Sequence, residues 1–283
     1  MLSKLMKYDL RSCFRRFGVL WIATAAFAVL TGIMMHGVFE KAMESGSFIL
    51  RFLTILVPVI LIGLIIVTGV LTFVFICERF YKGLLGDEGY LMFTLPASVS
   101  EHIAAKALSA MILTIISSLV ALVSGLIFLL IYQPAELMEG LRMLPQILKE
   151  ADLPASVPLF LLEILVLILF TVAKETLKIY ASIALGHLAK KHRVLWAILA
   201  YFGITTLESL ARGLVISNGL FSRLEAWAEE ADWGIIYTNG AWSVTGIGML
   251  AGIIGLLILV YLIMSAVYFI VTKVILTRKL NLE

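Results

Sequence analysis

Charge is scarce in this sequence: only 14% of its 283 residues are Asp, Glu, Lys or Arg, where a soluble domain carries about 25%. Hydrophobic residues make up 61%. One aqueous core cannot hide that much apolar surface, so the bilayer is the expected solvent. Cysteine is nearly absent. Cys13 lies in the N-terminal segment and Cys77 ends an apolar run, which excludes a disulfide framework and a cysteine zinc site. The net charge of +3 is too small to argue for a nucleic-acid partner. No G-x-x-x-x-G-K-[ST] phosphate loop occurs, and "GLLGDEG" lacks the lysine and hydroxyl that would hold phosphate and magnesium. The chain is therefore not expected to bind ATP. No H-E-x-x-H zinc motif occurs either, and His36, His102, His187 and His192 are scattered. The basic start before an apolar run imitates a signal peptide, but no small-residue cleavage site closes it, so it is read as retained.

Long apolar runs are present in number. Six windows are long enough to span a bilayer: 17–39, 52–77, 106–132, 158–187, 194–217 and 244–272. Lipid offers the backbone no partners, so these runs are expected to be helices, and they lack the period-two alternation of a barrel. The predicted class is an all-α membrane protein forming a single transmembrane domain over 1–283. Its parts are six spans, an amphipathic elbow helix over 1–16, a cytoplasmic loop over 79–102 and an elaborated outer segment over 218–243.

Orientation follows from the lysines and arginines. Fourteen of the 22 fall in the stretches 4–16, 79–106, 190–193 and 273–279, and six fall in the loops of the other side. This bias predicts a multi-pass protein with both termini cytoplasmic. Ten of the nineteen acids lie on the outer side. In residues 1–16, Leu2, Leu5, Met6, Leu10 and Phe14 gather near one helical face, with Lys4, Lys7, Arg11 and Arg15 around the other. That is an interfacial amphipathic helix or a positive flank that sets topology, and both can hold. The outer loop 133–157 is rich in proline. Trp227, Trp233, Tyr237 and Trp242 make 218–243 either an interfacial segment with short helices dipping back or an ordinary aromatic belt.

One loop is too greasy for its place. "RFYKGLLGDEGYLMFTLPASVSEH" (79–102) sets Tyr90, Leu91, Met92 and Phe93 among charges. Ser98 and Glu101 form a capping box for the third span, with Pro96 ending what precedes it. Asp87 can cap a short rod over about 88–95. Such a rod can lie on the inner leaflet or insert into a groove of a cytoplasmic partner.

The wording "ERFYKGLLGDEGYLMFTLPAS" strongly resembles the permease subunits of bacterial ATP-binding-cassette transporters of the type 2 exporter superfamily, and the general plan is similar over nearly the whole chain. The resemblance implies that this loop holds a coupling helix seated in a cleft of a separate ATPase. The implied contact residues are Gly86, Asp87, Glu88, Gly89, Tyr90, Leu91, Met92, Phe93, Thr94, Leu95 and Pro96. Leu91, Met92 and Phe93 form the insert, and Gly86 and Gly89 the flanking hinges. ATP and Mg would then sit on the partner subunit, with no cofactor or metal on this chain. A second permease copy or paralogue would complete the pathway, with membrane lipid around it and no nucleic acid. No catalytic residue is expected.

Charges inside spans are functional candidates by default. Glu208 and Arg212, four apart in the fifth span, can pair on one face as a pathway lining, a latch, or a self-satisfied pair near the outer headgroups. Glu163 is a further pathway candidate. Lys174, Glu175 and Lys178 fall where a segment of 30 residues can protrude from the membrane, so the two lysines read as solvated or snorkelling groups. "GIGMLAGIIG" at 246–255 allows close helix approach. The rival classes are a secondary transporter or channel and an intramembrane enzyme.

Overall fold

In the computed structural model the apolar runs satisfy their backbones internally, as helices. The structure describes residues 2–37, 44, 47–86, 98–152, 157–215, 234–238, 241–245 and 247–278. Seven α-helices occur among them: α1 (Leu2–Gly37), α2 (Phe48–Phe80), α3 (Val99–Tyr132), α4 (Pro134–Glu150), α5 (Val157–His187), α6 (Arg193–Val215) and α7 (Ile247–Arg278). Five stretches are long and apolar enough to cross a membrane: Met6–His36, Phe48–Leu85, Val99–Tyr132, Arg193–Leu214 and Leu250–Thr277. The chain is a helical, multi-pass membrane protein. Helix α5, over the predicted fourth span, is not among the five; it carries Glu163, Lys174, Glu175 and Lys178.

The described residues fall into two compact units. The first comprises Met1–Arg79 and Ala104–Met143. Its amphipathic start and first span are one unbroken helix, since nothing in residues 2–37 interrupts the hydrogen-bond ladder. Phe17 and Phe75 meet edge to face at 5.3 Å, with Cys13 and Leu113 buried beside them. Hydroxyls join the three long helices: Ser117 Oγ accepts from Trp21 Nε1 at 3.3 Å and from Thr72 Oγ1 at 3.2 Å. In an apolar medium such bonds add specificity to packing that burial alone does not drive. Many other hydroxyls bond the carbonyl four residues back, as Thr24 does to Leu20 and Thr31 to Phe27, which hides a polar group inside an apolar helix.

The second unit comprises Phe80–Ile103 and Leu144–Glu283. Here α5 packs on both α6 and α7. The α5–α6 approach is close at Gly186, where an added Cβ would stand 2.4 Å from the Ala197 nitrogen. The turn between them ends at His192, whose φ of 54° is left-handed.

Two elements differ from expectation. The proline-rich loop 133–157 contains helix α4, with Pro134 at its first position, where the missing N–H costs nothing. The segment 218–243 is not helical over its described part. Gly234–Thr238 (β2) and Ala241–Thr245 (β3) pair antiparallel, with Tyr237 opposite Trp242. Ala151–Asp152 (β1) adds parallel to β3, giving the sheet order β1-β3-β2. Residues 216–233 lie outside the described set.

A candidate polar latch inside the helices

Helices α5 and α6 are antiparallel neighbours joined by a short turn, so residues equally far from the turn face one another. Lys174 precedes His187 by thirteen residues, and Glu208 follows Arg193 by fifteen. Both are roughly 20 Å along their helices from the turn. The pairing is therefore set by chain geometry: Lys178 Nζ lies 3.2 Å and Lys174 Nζ 3.4 Å from Glu208 Oε2. The second carboxylate comes from α5 itself. Glu175 Oε1 is 2.8 Å from Lys174, and its Oε2 is 2.8 Å from Lys178. Helix α7 contributes Tyr268, whose hydroxyl donates to Glu208 Oε1 at 2.5 Å. Tyrosine faces complete the cage, with Lys174 4.8 Å from the Tyr261 ring centroid and Lys178 5.3 Å from that of Tyr201.

The expectation of solvated lysines is corrected here. Lys174 is 4% and Lys178 3% exposed, and Glu208 is 7% exposed. Two ammonium groups against two carboxylates cancel formally. Lys174, Lys178 and Glu208 are thus paired where little water reaches, and Glu175, whose side chain is 40% exposed, closes the group from its hydrated edge. Snorkelling is replaced by pairing because Glu208 and Glu175 sit within direct reach of both lysines. The predicted partner of Glu208, Arg212, is exposed one turn further along α6, and among the described residues the ion pairs of Glu208 are with the two lysines.

Glu163 is not brought to this cluster. It lies eleven residues before Lys174, roughly 16 Å along α5, half-buried, with Oε2 lacking a hydrogen-bond partner. Among the described residues no three His, Cys, Asp or Glu side chains are grouped to hold a metal ion.

The predicted partner-contact residues 87–96 lie outside the described residues; Gly86 is described. Residues Tyr81–Leu85 form a single π-helical turn, closed by Gly86 N–H donating to Tyr81 O at 2.8 Å. Such turns recur at functional positions. Gly86 has φ −96° and ψ −170°, an extended conformation open to any residue. What restricts it is space: an added Cβ would lie 3.2 Å from Lys82 Cα and O. On the far side of the loop the capping box forms as read. Ser98 N–H donates to Glu101 Oε2 at 2.8 Å, and Glu101 N–H to Ser98 Oγ at 3.3 Å.

The π turn is anchored on α5. Phe80 stacks on Tyr180 with centroids 4.0 Å apart, and Tyr81 meets His187 edge to face at 6.0 Å. Phe80 and Tyr180 are almost wholly buried. Tyr180 stands two residues from Lys178, so the entry to the loop and the charged cluster share one rigid helix. Sequence reading missed this link and missed Tyr268. A tyrosine midway along an apolar helix was the available signal, since its hydroxyl needs a partner there. No family model, curated protein or solved structure matches the chain.

Proposed function

We propose that this chain is the membrane-spanning subunit of an ATP-binding-cassette exporter, forming half of a translocation pathway driven by a separate ATPase. The carrying observation is the Phe80–Tyr180 stack. It ties the start of the loop that resembles a coupling segment to the helix bearing Lys174 and Lys178. Force applied at 87–96 would reach α5 through this contact, and from α5 would reach α6 and α7 through Glu208 and Tyr268. In this reading the cluster is a latch between spans: tight in one state, and re-paired or opened in another. The six-span plan, the cytoplasmic termini, the bacterial plasma membrane and a dimer of permeases belong to the same proposal. ATP and Mg would be held by the partner.

A mild-detergent pull-down of the tagged full chain from its native membrane tests the reading, run beside Leu91→Glu/Phe93→Glu. An ATPase subunit should accompany the native chain and be lost with the variant. Absence of any ATPase from both would overturn it. A second reading, a secondary transporter, draws on the same buried cluster, because paired ionisable groups inside spans also serve as proton relays. Transport driven by an ion gradient with ATP absent would favour it.

A further inference from the structure

Helix α1 carries a second charged feature, and it is unbalanced. Tyr8, Arg11, Ser12, Arg15 and Arg16 line an open cavity of about 560 Å³. Their spacing of three and four places them along one stripe of the helix. The opposite stripe, Asp9, Cys13 and Phe17, is buried. Asp9 is the acid nearest in sequence, and it is engaged elsewhere, by Arg79 and by Lys106 at 3.9 Å. Arg79 also donates to Ser12 Oγ at 3.2 Å. Arg11, Arg15 and Arg16 are exposed and form no ion pair among the described residues. The Arg16 guanidinium rests 5.5 Å from the Phe75 ring centroid. Three guanidinium groups held around one hollow repel one another until an anion joins them, and their planar forks match phosphate oxygens.

The kind of anion follows from what continues the stripe. Towards the middle of α1 the same side carries Val19 at 75% and Ile22 at 72% exposure, a strip of apolar surface long enough to lie beside an acyl chain. A free phosphate or a nucleotide would have no use for that strip. We infer that this pocket binds the phosphate headgroup of an acidic phospholipid, with its acyl chains running along Val19 and Ile22. The site fixes one end of α1 to the lipid surface through a specific molecule, beyond the general attraction of basic residues for anionic membranes. It stands independently of the exporter reading.

The test uses the purified full chain in neutral detergent, titrated with dihexanoyl phosphatidylglycerol, dihexanoyl phosphatidylcholine or inorganic phosphate, with thermal stability as the readout. Phosphatidylglycerol should raise the midpoint temperature saturably, and the other two should not at equal concentration. Arg11→Gln/Arg15→Gln/Arg16→Gln should weaken the half-saturating concentration by about tenfold or more, given roughly 1 kcal/mol per basic residue at an anionic surface. Lys190→Gln/Lys191→Gln/Arg193→Gln removes equal charge elsewhere and should change it by less than about twofold. If the triple arginine variant fails to fold, the exposed single change Arg15→Gln carries the test, with a weakening of about threefold or more. An equal response to inorganic phosphate would make this a free-anion site and overturn the lipid assignment. Equal loss in both triple variants would reduce the effect to bulk charge and overturn the site itself.

Discussion

Two ion-pair clusters among the described residues solve different problems. Asp9 meets Arg79 and Lys106, one acid against two bases, with side chains 12%, 27% and 5% exposed. Lys174, Lys178, Glu175 and Glu208 are two against two; the two lysines and Glu208 are 3–6% exposed, and Glu175 is 40% exposed. In the first, water reaches the Arg79 guanidinium and part of Asp9, so that pair is partly hydrated. In the second, one buried acid faces two buried lysines, and because the cost of an uncompensated charge rises steeply as solvent is withdrawn, Glu175 supplies the second negative charge from the hydrated edge. A tyrosine hydroxyl is added only at the deeper cluster, where Glu208 Oε1 would otherwise be left without a donor. The shallow cluster pins helix ends; the deep one joins α5, α6 and α7 where apolar packing alone gives little preference for one arrangement.

This contrast sets an order of expected effects. Glu208→Gln removes half of the negative charge facing two buried lysines and should cost the full chain about 3–5 kcal/mol, read by denaturant unfolding in detergent micelles. Asp9→Asn should cost about 1–2 kcal/mol in the same assay, because Arg79 keeps Ser12 and the Phe75 face and is partly hydrated. Added salt should narrow the Asp9→Asn effect and leave that of Glu208→Gln nearly unchanged, since the partly hydrated Asp9–Arg79 pair is the more strongly screened. Equal costs for the two variants would break the comparison.

Much of the helical layout was legible because it rests on one large physical term. A run such as 106–132 has no alternative to a helix in lipid, and Ser98 with Glu101 announces where α3 starts. The strand pair within 218–243 is not legible from aromatic density, which suits an aromatic belt equally well; its signal is turn chemistry. Asn239-Gly240 stands between 234–238 and 241–245, and that dipeptide between short β-prone runs is a strong hairpin signal. Helix α4 was hidden by its prolines, although Leu137, Leu141, Leu144 and Leu148 repeat at helical spacing. The latch was half visible. Glu208 was singled out as costly, but its partners lie 30, 34 and 60 residues away in sequence. A local rule of i and i+4 therefore chose Arg212 in their place. Only the α5–α6 hairpin register brings the lysines to it.

The central claim is that Glu208 of α6 and the two lysines of α5 clamp one another away from water, and a double-mutant cycle on Glu208 and Lys178 tests it most directly. Glu208→Gln leaves two lysines against Glu175 alone, whereas Glu208→Gln/Lys178→Met restores one against one. The account predicts that the double variant is more stable than Glu208→Gln, with a coupling of about 2 kcal/mol or more. Simple addition of the two single costs would contradict it and return the lysines to solvent.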